Sequence, residues 1–263
     1  MKHPIEKKFN DMGADIEVTE MPKPFKSMWA RARRSKQSPI SIDIQDGAFD
    51  IKVNPTAEIQ VIHTDPKDRH LVLQAKDEDG IKSQFLCGHD ERNWFVAAVP
   101  EDSSVHNVQS AKDALRPKHL TEELVRKGVK DKNSRKNDAY RRQGEWFFIP
   151  HPEKKVDPKV ILKNEPIQRG RGRPHMVAEL FRTGGKSVWI ARGKSHSYEQ
   201  YIAIPAEQRK NMFFRQMQEN PQVFVRGTIK HPDHNTIELD CWHEVVQNTE
   251  TEAIAMRHVQ FLD

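Results

Sequence analysis

Apolar residues recur at every second position through most of the chain, the period of a strand with one buried face, and only short stretches switch to helical spacing. The clearest case is 40–53, where Ile40, Ile42, Ile44, Phe49, Ile51 and Val53 alternate with polar residues around Asp46-Gly47. Asp-Gly supplies the positive φ angles of a two-residue hairpin turn. Pairing outward from it sets Ile44 opposite Phe49, Ile42 opposite Ile51 and Ile40 opposite Val53. A one-residue slip would move that apolar set to the wrong face, so the register is well specified. The other face sets Asp43 opposite Asp50, a repulsion that water tolerates and a core does not, and it is predicted to be exposed. Further strands are predicted over 58–62, 70–76, 83–87 and 94–99, with breaks at Asp65-Pro66, Asp79-Gly80 and 90–93. That spacing describes an antiparallel meander.

Helical spacing takes over at Val105, Val108, Ala111 and Leu115 and ends at Pro117; Thr121 with Glu122 and Glu123 then marks a second short helix through Arg126. The stretch 128–140 is almost without apolar residues and is the predicted boundary. Beyond it lie short apolar runs at 145–149 and 160–162, then strands 176–181 and 188–191, predicted as a hairpin through Gly184-Gly185. A helix is predicted from Pro205 towards Glu219, burying Met212, Phe213 and Met217. The last hairpin sets 223–230 against 236–245, with Val223 opposite His243, Gly227 opposite Leu239, Arg226 opposite Asp240 and Phe224 opposite Trp242. The expected fold class is α+β, mainly antiparallel β-hairpins and meanders in two halves with a few short helices. The expected organisation is a basic flexible arm over 1–37, a β-meander domain over 38–127, a basic linker over 128–140 and a second hairpin-rich domain over 141–263. No fixed-period repeat is present, which argues against propellers and solenoids.

Charge adds to this picture because it is localised. The net +5 is concentrated in 22–36, which holds six Lys or Arg and no acid, and in 110–145, which holds eleven against six Asp or Glu. Both segments are poor in apolar residues, as expected of arms that contact phosphates. Aromatic rings accompany the cations: Trp29 beside Arg31, Arg33 and Arg34, with Lys26 just before, and Tyr140 beside Arg141 and Arg142. Phosphate neutralisation with base stacking is how single-stranded nucleic acid is held. The segment Arg169, Gly170, Arg171, Gly172, Arg173, Pro174 resembles an AT-hook, whose Gly-Arg-Pro core lies in the minor groove of DNA. The plainer reading of such charge is a solvated linker. No apolar run approaches the roughly 20 residues of a membrane span, and 1–10 has no secretory hydrophobic stretch, so no membrane partner and a cytoplasmic location are expected. Cys87 and Cys241 are not closely spaced and are expected to be reduced.

Metal chemistry is suggested by His231, Pro232, Asp233 and His234, followed by Cys241 and His243. In the register above, His231 and His243 are separated by about 27 Å of strand, so one ion cannot collect all four. A divalent metal can still use His231 and His234 with a third ligand from elsewhere: Asp233, or a histidine such as His175, His151 or His89. The plainer reading makes these histidines polar turn residues. His175 and Glu179 suggest the cupin motif, but Arg173 stands where that pattern has a histidine, and the pair lies about 13 Å apart on a strand. Cys87, His89 and Asp90 cannot form a triad among themselves, because neighbours on a strand point to opposite faces. No phosphate loop or dinucleotide fingerprint is present, which leaves ATP and NAD chemistry without support.

The stretches 85–100 and 142–150 resemble those of a family of bacterial or phage proteins, and that resemblance implies no activity. The function expected from sequence is nucleic-acid association, with DNA or RNA held by Lys26, Trp29, Arg31, Arg33, Arg34, Arg141, Arg142, Arg169, Arg171 and Arg173. A metal-dependent enzyme using His231, His234 and His175 is the alternative, and a protein-binding scaffold the third class.

Overall fold

The structure, a computed structural model, describes residues 3–21, 38–169 and 172–259. It is rich in strand, with several mainly antiparallel sheets and five short α-helices among the described residues. The chain opens on α1 (Pro4–Asp11), capped by His3 and burying Ile5 and Phe9. Next comes β1 (Ile16–Glu20), which pairs in parallel with the outer side of the first hairpin. Both elements fall inside the segment read as a flexible arm. The hairpin, β2 (Ile40–Gln45) and β3 (Ala48–Val53), has the predicted register from Ile40↔Val53 to Ile44↔Phe49. Its turn has the expected positive φ at Asp46 and Gly47. Asp43 and Asp50 do face each other, half-buried rather than exposed. Lys52 lies 3.1 Å from Asp50, while Asp43 accepts from the Ile44 amide, which divides the charge between separate partners.

The meander forms as predicted: β4 (Glu58–Asp65), β5 (His70–Lys76), β6 (Lys82–Asp90) and β7 (Asn93–Val99) are neighbours in that order. It buries both faces, which explains the nearly continuous apolar run of β5. Leu71, Leu73, Phe85 and Trp94 pack towards the first hairpin, while Val72, Leu86 and Ala97 pack against α2 (Val108–Ala114). α3 (Lys118–Arg126) follows, and its Leu120 and Leu124 share a buried cluster with Ala139, Tyr140 and Phe147. The stretch read as a linker thus ends in buried residues, and the Tyr140 hydroxyl donates to the Lys132 carbonyl at 2.6 Å.

The remaining strands are β8 (Arg141–Gln143), β9 (Trp146–Pro150), β10 (Leu162–Ile167), β11 (His175–Thr183), β12 (Lys186–Ala191), β13 (Lys194–His196), β14 (Arg215–Glu219), β15 (Gln222–His231) and β16 (His234–Gln247). Two helices, α4 (Tyr198–Ala203) and α5 (Ala206–Lys210), lie between β13 and β14. Six strands form one sheet in the order β10-β11-β15-β16-β9-β8, and three form a small sheet, β13-β12-β14.

Three expectations change here. β11 and β12 do not form a hairpin: β11 is paired on both sides by β10 and β15, so β12 joins the small sheet instead. Gly184 and Gly185 do take positive φ, but a Cβ on Gly185 would lie 2.8 Å from the Glu219 carbonyl, so this glycine serves a backbone crossing. The helix predicted from Pro205 to Glu219 stops at Lys210, and Phe213, at positive φ, redirects the chain into β14 beside β12. Phe213 is consequently 87% exposed rather than buried. The last hairpin keeps the predicted pairs Gly227↔Leu239 and Ile229↔Ile237, but a bulge shifts its far half, so Val225 meets His243 and Phe224 meets Glu244.

Candidate metal centre

Three histidines meet where β11, β15 and β16 end. His231 closes β15, His234 opens β16 across the Pro232-Asp233 turn, and the two are cross-strand partners. His175 opens β11, one step beyond the Met176↔Lys230 pair, which brings it alongside His231. Directly opposed residues on neighbouring strands have Cβ atoms about 5 Å apart, so the sheet itself brings the three rings together. The His175 and His231 rings stack at 4.2 Å, His231 and His234 lie 4.8 Å apart, and His175 and His234 5.5 Å.

All three side chains are buried, His175 completely and the others 5–6% exposed. That overturns the polar-turn reading, since turn histidines would be solvated. Their ring nitrogens also lack what burial demands. Both nitrogens of His175, both of His234 and Nε2 of His231 have no hydrogen-bond partner among the described residues. One nitrogen from each ring lies within 4.8 Å of the other two. On a tetrahedral zinc ion, with bonds of about 2.0–2.1 Å, ligand nitrogens are about 3.3 Å apart, so closing the set takes ring shifts of the order of 1 Å.

Electrostatics keep the rings in the form a metal needs. Burial, then His231 and His234, lowers His175 to about 3. Burial, then His231, lowers His234 to about 4, with Asp233 opposing. His231 is lowered by burial, while the Asp233 carboxylate and the Arg173 carbonyl favour a proton on it. Neutral imidazoles are metal ligands, whereas charged ones are not.

Carboxylates flank the rings where a coordinated histidine needs an acceptor for its second nitrogen. Glu91, from the β6–β7 turn, places Oε2 3.7 Å from His234 Nδ1. It is itself held by Arg135 and by the Asn235 amide. Asp233 Oδ2 lies 3.9 Å from His231 Nδ1 and is gripped by Arg173 at 2.9 Å. Gly144, between β8 and β9, closes the other side: it has positive φ, and a Cβ there would sit 2.8 Å from His234 Nε2. Sequence reasoning missed Glu91 and Gly144, reading Glu91 as part of a polar turn.

Cys241 and His243 belong to a separate group with Asp240, as the strand separation requires. His243 Nδ1 lies 2.8 Å from the Cys241 carbonyl, and burial, then Asp240, raises the Cys241 thiol, so this group favours the protonated sulfur. His175 and Glu179 do not act together, since Glu179 pairs with Arg226 at 2.6 Å.

Of the residues predicted to contact nucleic acid, Lys26, Trp29, Arg31, Arg33, Arg34 and Arg171 lie outside the described residues. Arg142 lies 3.4 Å from Asp90, Arg169 pairs with Glu250 and Arg173 with Asp233, so these three are engaged by acids of the chain. Arg141 sits on β8, the edge of the six-stranded sheet, opposite Phe148. No protein-family model, curated protein or solved structure matches this chain. Among the described residues no helix is long and apolar enough to cross a membrane.

Proposed function

We propose that the protein is a metal-dependent enzyme that holds one divalent transition-metal ion of the zinc class on His175, His231 and His234. The observation that carries this reading is the set of three buried, uncharged imidazoles with unpartnered nitrogens within 4.8 Å of one another. Nitrogen-only ligation suits zinc, copper, iron or nickel rather than magnesium or calcium, which take oxygen. Three protein ligands leave a fourth position for water, the arrangement of catalytic rather than structural zinc. A bound ion would lower that water's pKa to about 7 and make it a nucleophile for hydrolysis. Glu91 would orient the His234 ring through its Nδ1, and the Asp233 amide, which donates to Nδ1 of His231 at 3.2 Å, would orient that ring.

Elemental analysis of protein purified without a histidine tag tests the reading. One zinc, iron, nickel or copper per chain is expected, reduced to background by His231→Ala. Protein that takes up no metal after incubation with zinc would refute it.

A second reading, nucleic-acid association through the basic segment 22–36, is favoured by that segment's six cations and absence of acids. Binding to single-stranded nucleic acid that falls steeply with salt is the expected result.

A further inference from the structure

Next to the metal centre, behind Gly144, is a partly enclosed cavity of about 70 Å³, lined from β6, β7, α2 and the β8–β9 segment. By this measure a water molecule needs about 10–15 Å³, so the space holds about five waters or one small ion and is too small for a nucleoside. Its lining combines apolar side chains such as Leu86, Phe95 and Phe147 with several charged ones. Lys112, Arg116, Arg142 and Arg169 face it, against Asp90, Glu145 and Glu250.

The donors are held in place and incompletely used. Arg116, 4% exposed, is fixed by Asp113 at 2.8 Å and by Oδ1 of Asn133. The Asn133 amide nitrogen, Nε of Arg142 and Nε of Arg169 are buried with no hydrogen-bond partner among the described residues. Unpartnered donors of this kind cost free energy unless something accepts from them. Of the acids, Asp90 and Glu250 are engaged by arginines. Burial raises the Glu145 carboxyl, and Arg169 opposes that shift.

We infer that this cavity binds a small free oxyanion with two or more charged oxygens, of the phosphate or short-dicarboxylate class, through Arg116, Arg142, Arg169 and the Asn133 amide. Guanidinium groups suit this task because their paired N–H donors match the spacing of carboxylate and phosphate oxygens. The inference does not depend on the metal: no triad histidine lines the cavity, and Gly144 and Arg142 form the wall on that side.

Calorimetric titration of the metal-free full-length chain with phosphate, sulfate and oxalate tests it, with acetamide as an uncharged control. One site per chain is expected for at least one anion and none for acetamide. A preference for phosphate or for oxalate tells the tetrahedral source from the planar one, and either supports the site. Arg142→Gln should weaken binding about tenfold or more, the loss of a charge-assisted donor. Because that variant also removes one of the two arginines on Asp90, leaving Arg135, Asn133→Asp is the second test. It keeps the shape and the contact to Arg116 but replaces a donor with a negative charge, and it should weaken binding by a similar factor. No anion binding up to about 10 mM, a very weak affinity, would overturn the inference. So would anion binding that both variants leave unchanged, which would place the ion elsewhere.

Discussion

Replacing His175 with Phe separates a metal ligand from an ordinary core histidine, because the two predict opposite effects on stability. His175 is completely buried and neither ring nitrogen has a partner among the described residues. An unmet buried polar group costs about 1–3 kcal/mol. A phenyl ring removes both unmet groups while preserving most of the stacking on His231 at 4.2 Å and the edge contact with Trp146 at 6.4 Å. Removing two unmet groups, less about 1–3 kcal/mol for fitting the larger ring, should leave the variant more stable than the parent in chelator by about 1–3 kcal/mol. For 263 residues, at about 2.1 cal/mol/K of unfolding entropy each, that is a rise of about 2–5 °C in Tm. With zinc at about 100 times Kd the parent gains about 2.7 kcal/mol, or about 5 °C, and the variant gains little. Thermal unfolding by calorimetry in chelator and then in zinc should show the parent's disadvantage offset or reversed. A variant less stable than the parent in chelator, with an unchanged response to zinc, would show that His175 is a structural residue and refute the reasoning.

Gly144→Ala should destabilise by about 1–3 kcal/mol, because it forces a side chain into positive φ and onto His234, and it should weaken zinc binding in a competition titration. Glu91→Gln removes the carboxylate beside His234 Nδ1 and should lower metal affinity about 10–100-fold in the same titration, with the sheets retained by circular dichroism. His70 gives a pH effect outside the metal centre: burial first, then Lys112, lowers it from 6.5 to about 4. The unfolded chain takes up that proton first as pH falls, so stability is full above about 6.5 and declines between 6.5 and 4, by up to about 3 kcal/mol. Denaturant unfolding across that window should show a smaller decline in His70→Gln.

The local pairings were legible in the sequence, and the long-range ones much less so. Asp46-Gly47 and the strict alternation around it specified every pair of the first hairpin, because a slip there exposes Ile40, Ile42 and Ile51 together. The meander was legible for the same reason. The parallel pairing of β1 with β3 was not, since nothing in 16–20 marks its partner strand. At β11 and β12 the Gly184-Gly185 signal was real as backbone geometry but misleading as topology. The three histidines were nevertheless named together as an alternative metal site. His231 and His234 were identified as candidate ligands, and His175 was named among the third partners, but only the pairing of β11 with β15 puts His175 beside His231. Glu91 and Gly144 act across the sheets, and no local pattern identifies such positions.

The same sheet pairing gives a reason to expect an ion rather than a merely tolerated defect. Sequences that specify a fold satisfy their buried polar groups, and local departures from that rule concentrate where function requires them. Several buried polar atoms are unpartnered among the described residues, and five of them are ring nitrogens on three adjacent histidines. At about 1–3 kcal/mol each, leaving them unmet costs an amount comparable with the entire stability of a typical domain, about 5–15 kcal/mol. The cluster is buried on all three strands and packed against Gly144. Because metal-binding free energy adds to folding free energy, an ion held by the three rings would offset part of that deficit. An ion on the three rings would leave Nδ1 of His234 to donate towards Glu91, while Nδ1 of His231 already accepts from the Asp233 amide at 3.2 Å.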